Sequence, residues 1–197
     1  MSFLVGKNAP DFTSTAIMPD GSVKHDFTLS KYLSEKKGVL FFYPLDFTFV
    51  CPSEIIEFHK KIDDFKSRGT LIIGVSVDSE YTHLAYKNTP VNEGGIGNIQ
   101  YPLVSDLTKD IARSYDVLFD HKVALRGTFI IDENFIIKHQ TVNDLSIGRN
   151  VGETLRLVDA LKHNQKYGEV CPANWSQGDE AIKPNTDGIK KYLRNRY

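Results

Sequence analysis

The chain has 197 residues, 41% of them apolar, enough for one domain with a substantial core and a short tail. Its 24 basic and 25 acidic side chains leave a formal charge of −1, so it lacks the concentrated basic surface that nucleic acid or an anionic membrane requires. The two cysteines are too few for a secreted disulfide framework, no apolar stretch nears the roughly 20 residues that span a bilayer, and residues 1–10 carry no charged-then-apolar leader. A cytoplasmic protein with resting thiols is expected.

In chain order, residues 19–22 (Pro-Asp-Gly-Ser) predict a turn between two short extended segments, and residues 29–33 a brief helix. The apolar run 38–44, bounded by Gly and Pro, predicts a buried strand. Apolar residues at Ile55, Phe58, Ile62 and Phe65 predict a helix over 53–68, stopped by Gly69. A second buried strand follows at 71–77, a helix at 81–88, a glycine-rich loop at 93–97, a short strand at 101–104 and a helix at 108–115. Residues 127–131 and 135–142 flank Asp132-Glu133-Asn134 as a β-hairpin, whose second strand reads equally as an ordinary edge strand guarded by Lys138 and His139. An amphipathic helix spans 151–163, with Leu155, Val158 and Leu161 on one face. Strands alternating with helices, plus one hairpin, predict a three-layer α/β sandwich with a mixed central sheet over 1–163 and an extended C-terminal tail over 164–197. Near the end of that tail, Lys190, Lys191, Arg194 and Arg196 read as the solvated face of a short helix.

Each cysteine is followed by proline. Pro52 suits the first helical position, which makes Cys51 the cap residue and places Glu54 in a capping-box position. Free backbone N–H groups and the positive end of the helix dipole then face the sulfur and favour its thiolate. Thr48, in the same turn, can bring a hydroxyl to anything bound over it. The alternative is a small buried hydrophobe, the commonest state of a free cysteine, and Phe49 and Val50 fit that reading too.

The pattern Pro44-x-x-x-Thr48-x-x-Cys51 resembles the active-site signature of peroxiredoxins, and Val170-Cys171-Pro172-Ala173-Asn174-Trp175 is similar to the second-cysteine motif of their typical two-cysteine subgroup. The likeness runs from about Gly6 to Pro184. It implies a thioredoxin-like fold and a cofactor-free thiol peroxidase acting on hydrogen peroxide and alkyl hydroperoxides. In that scheme Cys51 attacks the peroxide, Thr48 and the Cys51 backbone hydrogen-bond it, Arg126 favours the thiolate and polarises the peroxide, and Pro44 shields the sulfur from water. Glu54 and Arg149 match a surrounding polar network. Without the resemblance, Arg126 reads as a strand residue paired to a surface carboxylate, and Arg149 as a partner of the helix that follows it.

The resemblance further implies that Cys171 of the other subunit of a homodimer resolves the Cys51 sulfenic acid as an intersubunit disulfide, later reduced by thioredoxin or a similar dithiol protein. Strand 135–142 matches the strand that pairs across the dimer, and the region around Phe47 and residues 79–83 matches the place where five dimers join into a decamer. Gly94-Gly95-Ile96-Gly97 is similar to the loop of peroxide-sensitive members, but Tyr192-Leu193 stands where those carry Tyr-Phe. Intermediate sensitivity to overoxidation is expected from that change, because Leu lacks the aromatic area that holds the tail down.

Other chemistries fit less well. No Cys-x-x-Cys pair exists for disulfide exchange, no motif ties a histidine base to Cys51, and the scattered cysteines and histidines make no four-ligand zinc set. His59, His83 and His163 read as helix-surface residues. A holdase chaperone or a peroxide sensor relaying oxidation to partners is the alternative from another class.

Overall fold

The computed structural model describes residues 3–196; Met1, Ser2 and Tyr197 lie outside it. Two compact units divide the chain at residues 151 and 152.

In the first unit, β1 (Thr13–Ile17) and β2 (Val23–Thr28) flank the predicted turn. The turn is closed by Met18 N–H donating to the Ser22 carbonyl, with Gly21 at φ +83, a left-handed conformation that glycine adopts without a Cβ penalty. After α1 (Leu29–Leu33) comes β3 (Lys37–Phe42), buried at every position. The predicted single helix 53–68 is in fact α2 (Cys51–Lys60) and α3 (Ile62–Ser67), broken at Lys61. Lys61 leaves α-helical geometry (φ −96, ψ 9), yet Ile55, Phe58 and Phe65 remain buried. Gly69, at φ +66, ends the run as its position implies.

Next are β4 (Thr70–Ser76), α4 (Glu80–Asn88), β5 (Leu103–Ser105) and α5 (Asp110–Ser114). Ser79 caps α4 by accepting the Thr82 N–H at 3.2 Å, and Asp106 accepts the Ile111 and Ala112 N–H groups at the start of α5. A small ribbon, β6 (Leu118–Phe119) with β7 (Val123–Ala124), was not foreseen, because two-residue strands carry no readable periodicity. The hairpin is β8 (Arg126–Ile131) and β9 (Ile137–Asn143).

Seven strands form one sheet in the order β2-β1-β5-β4-β3-β8-β9, with β3, β4 and β5 mutually parallel and the other neighbours antiparallel. Strand alternation sends Phe41 and Phe42 to opposite faces of β3. Phe41 stacks on Phe58 of α2 at 4.5 Å, while Phe42 packs against Tyr115, just past α5, at 5.2 Å and edge-on to Phe129 at 5.9 Å. Helical material therefore covers both faces, as the three-layer prediction requires. Each such buried ring contributes about 1.5–3 kcal/mol. The first residues of β9 are bridged by the N-terminal segment, with Gly6 N–H donating to the Ile137 carbonyl and Ile137 N–H to Lys7.

The second unit holds α6 (Val151–Tyr167) and α7 (Thr186–Arg196), with Val170 and Ile182 exchanging two backbone hydrogen bonds between them. α6 runs past the predicted end at His163 because its last turn is polar and gives no apolar signal; Gly168, at φ +67, supplies the stop. On α7 the basic cluster is exposed, and Tyr192 is the buried residue. No helix of the described residues is long and apolar enough to cross a membrane.

Candidate active site

Cys51 sits at the carboxyl side of β3, where the chain leaves the sheet through residues 43–50 and enters α2. Val50, in α-helical geometry, is the cap, Cys51 is the first helical residue, and no capping box forms. The Val50 carbonyl instead accepts the Ser53 hydroxyl at 2.6 Å and the Ser53 N–H at 3.1 Å. Glu54 is drawn away because two guanidinium groups offer its carboxylate stronger, charge-assisted hydrogen bonds than one backbone N–H would.

The Cys51 sulfur is fully buried. Thr48 Oγ1 lies 3.0 Å from it and also 2.8 Å from the Leu45 carbonyl. One hydroxyl proton cannot serve both, so it faces Leu45 when sulfur carries a proton and can turn to sulfur when it does not. Arg126, at the start of β8, donates Nη1 to Glu54 Oε2 at 2.7 Å and reaches the sulfur at 3.4 Å, while its Nε donates to the Leu145 carbonyl at 2.9 Å. The surface-pairing reading of Arg126 is thereby excluded, since its side chain is only 4% exposed.

Arg149 also pairs with Glu54, not with the helix that follows. Its Nη1 donates to Oε2 at 2.8 Å, its backbone N–H to Oε1 at 2.9 Å, its Nε to Thr128 Oγ1 at 2.8 Å, and its Nη2 to the Gly127 carbonyl at 3.1 Å and to the Phe42 carbonyl. Burial pushes this guanidinium down to about 10, opposed by the Glu54 carboxylate beside it, so it stays charged at neutral pH. Two buried guanidiniums against one carboxylate leave one positive charge unmatched beside the sulfur. Pro44 is buried at the head of the loop.

A second polar cluster anchors that loop, and the sequence reading missed it. His83 is fully buried, not on a helix surface as expected; its Nδ1 bonds to Asp46 Oδ2 at 2.7 Å, and Tyr43 donates its hydroxyl to Asp46 Oδ1 at 2.8 Å. The Asp46 N–H donates to Asp78 at 2.8 Å. Burial works against a charge on His83, but the hydrogen bond and charge of Asp46, with Asp78 behind it, outweigh burial and raise its pKa. Lys87, also buried, donates to the carbonyls of Met18, Pro19 and Ile99 at 2.9, 2.9 and 3.3 Å. His83, Tyr86 and Lys87 form the buried face of α4 at helical spacing. That spacing was the available signal, hidden because two of the three residues are polar.

In the second unit Cys171 is only partly buried, and its Sγ has one weak contact, 3.6 Å from the Ala160 carbonyl. Partial burial pushes this thiol up; Arg156 opposes that and Glu169 adds to it. Arg156 is held by Glu153 at 2.6 Å and donates to the Trp175 carbonyl at 2.6 Å. Trp175 is buried and its ring lies 5.0 Å from that of His163, which bonds to Glu169 at 3.1 Å. Of the departure noted at the terminus, Tyr192 is 6% exposed and Leu193 46%.

The description "AhpC/TSA family" matches residues 5–140, and "C-terminal domain of 1-Cys peroxiredoxin" matches residues 160–195. The chain is 52% identical over 191 residues to the alkyl hydroperoxide reductase C of Helicobacter pylori, covering 97% of this chain and 96% of that protein. It is 54% identical over 190 residues to peroxiredoxin-1 of Gallus gallus, covering 96% and 94%. Among solved structures it resembles the reduced two-cysteine peroxiredoxin of Plasmodium vivax, with a TM-score of 0.95 at 50% identity over 98% of this chain and all of that one.

Proposed function

Because the chain belongs to the AhpC/TSA family of peroxiredoxins and is a thiol-dependent peroxidase with a thioredoxin-like α/β fold, we propose that Cys51 is the thiol that meets the peroxide and Cys171 the one that resolves it. The observation that carries this reading is the unmatched positive charge against a fully buried Cys51 sulfur, with the Thr48 hydroxyl and the Arg126 guanidinium both in reach.

The Cys51 thiolate attacks one peroxide oxygen. The O–O bond breaks, the second oxygen takes a proton and leaves as water or an alcohol, and the sulfur, oxidised by two electrons, becomes a sulfenic acid. Negative charge shifts from sulfur onto the leaving oxygen during the step. Arg126 and Thr48 are donors fixed in place before that charge arrives, which is the arrangement that lowers a barrier. Glu54 and Arg149 do not touch the reacting atoms in this scheme; they hold Arg126 in a water-poor site. Pro44 closes the loop over the sulfur.

The sulfenic acid then condenses with the Cys171 thiol of the partner subunit, releasing water and forming an intersubunit disulfide. A fully buried Cys51 implies that its loop must open for that step. Thioredoxin or a similar dithiol protein reduces the disulfide. A homodimer through β9, which lies at the end of the sheet, and a ring of five dimers through the exposed surface of Phe47 and Tyr81 complete the reading. Hydrogen peroxide and alkyl hydroperoxides are the substrates, in the cytoplasm. Leu193 in place of a ring gives intermediate sensitivity to sulfinic acid formation.

The test is non-reducing electrophoresis after one equivalent of hydrogen peroxide. Wild type should run as a covalent dimer, and either Cys51→Ser or Cys171→Ser should abolish it. A disulfide within one monomer would overturn the intersubunit assignment.

A further inference from the structure

The stretch that carries Cys171 is irregular, yet it is pinned on both sides of the sulfur, and the pins come from one face of α6. Arg156, Ala160, His163 and Tyr167 recur there at helical spacing. The Arg156 guanidinium donates to the Trp175 carbonyl at 2.6 Å, and the Ala160 carbonyl lies 3.6 Å from Cys171 Sγ. His163 reaches both flanks. Its Nε2 donates to the carboxylate of Glu169, two residues before the cysteine, at 3.1 Å, and its ring lies 5.0 Å from that of Trp175, four residues after it. The Tyr167 ring lies 4.8 Å from the same imidazole.

Trp175 is the residue through which the turn is held. It is 2% exposed, its N–H donates to the Pro172 carbonyl at 3.2 Å, and its indole N–H donates to the Asp179 carbonyl at 3.1 Å. Asn174 before it takes φ +61, a left-handed conformation that asparagine tolerates. Pro172 to Trp175 is therefore a closed turn directly after the cysteine, and whatever fixes the Trp175 ring restricts the sulfur. On the other side, Val170 and Ile182 exchange backbone hydrogen bonds of 2.8 and 2.9 Å. Nothing in the peroxidase scheme uses the His163 imidazole, whose side chain is only 20% exposed.

We propose that His163 is a positioning residue for the resolving step: its ring pins Trp175, and with it the Cys171 turn, against α6, and the bond to Glu169 fixes the ring. This rests on the reading that Cys171 condenses with the Cys51 sulfenic acid. In that condensation the Cys171 sulfur bonds to the Cys51 sulfur, and the sulfenic hydroxyl takes the thiol proton and leaves as water. A sulfur held in one place meets its partner more often than one on a loose segment, the advantage that fixed orientation gives any two reacting groups.

Two rates test the hold. In Cys51→Ser protein Cys171 is the one thiol left. Burial is the largest influence on that thiol and pushes it up, with Arg156 opposing and Glu169 adding, so a turn that lets go should alkylate faster. Adding His163→Ala should raise the iodoacetamide rate about fivefold, read by intact mass, the scale of one aromatic pair. With Cys51 in place, His163→Ala should leave the first reaction with one equivalent of hydrogen peroxide unchanged and slow disulfide formation by about the same factor. Stopped flow and rapid quench separate the two steps. His163→Phe keeps a ring against Trp175 and should return both rates most of the way to wild type. Unchanged or slower alkylation overturns the proposal, and so does a disulfide rate that is unchanged or faster. A slower first reaction in His163→Ala, or no recovery in His163→Phe, also overturns it. The alkylation uses neither peroxide nor Cys51, so the hold on Cys171 is read separately from the disulfide that electrophoresis tests.

Discussion

The same dipeptide, Cys-Pro, occurs twice in this chain with opposite surroundings. At Cys51 it opens a ten-residue helix, the sulfur is sealed from solvent, and a buried cluster of Glu54, Arg126 and Arg149 fixes the groups around it. At Cys171 it lies in an irregular segment between α6 and α7, partly exposed, with one weak sulfur contact. The difference teaches that neither residue type nor its neighbour makes a thiol reactive. In the proposed reading, fixed charge does so for Cys51, and partial exposure suits Cys171 to the part of partner.

The largest break in that comparison is between the two cysteine substitutions themselves. Cys51→Ser should reduce peroxide consumption by roughly a thousandfold or more, because no other nucleophile is poised. Cys171→Ser should leave the first reaction at its wild-type rate and fail only in turnover. Stopped-flow mixing with one equivalent of peroxide separates them, and a slow first reaction in Cys171→Ser would place Cys171 in the chemistry of attack.

Next in size is the buried cluster. Glu54→Gln removes the carboxylate that two buried guanidiniums share, and removing one partner of such an ion pair costs about 3–5 kcal/mol. Urea unfolding should show that loss. A change under about 1 kcal/mol would mean the cluster is far better solvated than its burial implies.

At Cys171 the effects are smaller. Its thiol lies above the ordinary value and only the thiolate attacks, so disulfide formation should accelerate as pH rises through the alkaline range. Arg156→Ala removes the charge that opposes the upward shift and should slow resolution at neutral pH by roughly two- to fivefold, the scale of a partly exposed charge pair. Rapid-quench measurement of the disulfide checks both; a pH-independent rate would mean that loop opening, not the thiol, limits the step.

The smallest expected effect concerns the loop anchor. The fold raises the pKa of His83, so the stability it contributes is fully present below the ordinary histidine value of 6.5 and fades as pH rises through the folded value. Thermal melts of wild type should weaken slightly over that window, and His83→Asn should flatten the dependence. Equal slopes would remove His83 from the anchor.

Much of the fold was readable because its signals are local. Uninterrupted apolar runs marked β3 and β4, the Ile55, Phe58 and Phe65 spacing marked the helical stretch after Cys51, and Gly21, Gly69 and the Asp132–Asn134 turn marked the breaks. What escaped depends on distant partners. The split at Lys61, the ribbon of β6 and β7, and the last turn of α6 carry no apolar periodicity. His83 and Lys87 look like surface residues until the carboxylate and carbonyls that receive them arrive from far along the chain.

The two cysteine motifs in their order are a property of the sequence alone, and they were enough to indicate a thiol peroxidase. They could not say that Glu54 abandons a capping box for two arginines, because that choice depends on β8 and the 145–149 segment converging on the start of α2. Nor could they show that His83 ends fully buried against the Asp46 carboxylate. A motif specifies which groups are available; burial and the net charge around them, which only the folded chain sets, determine what those groups do.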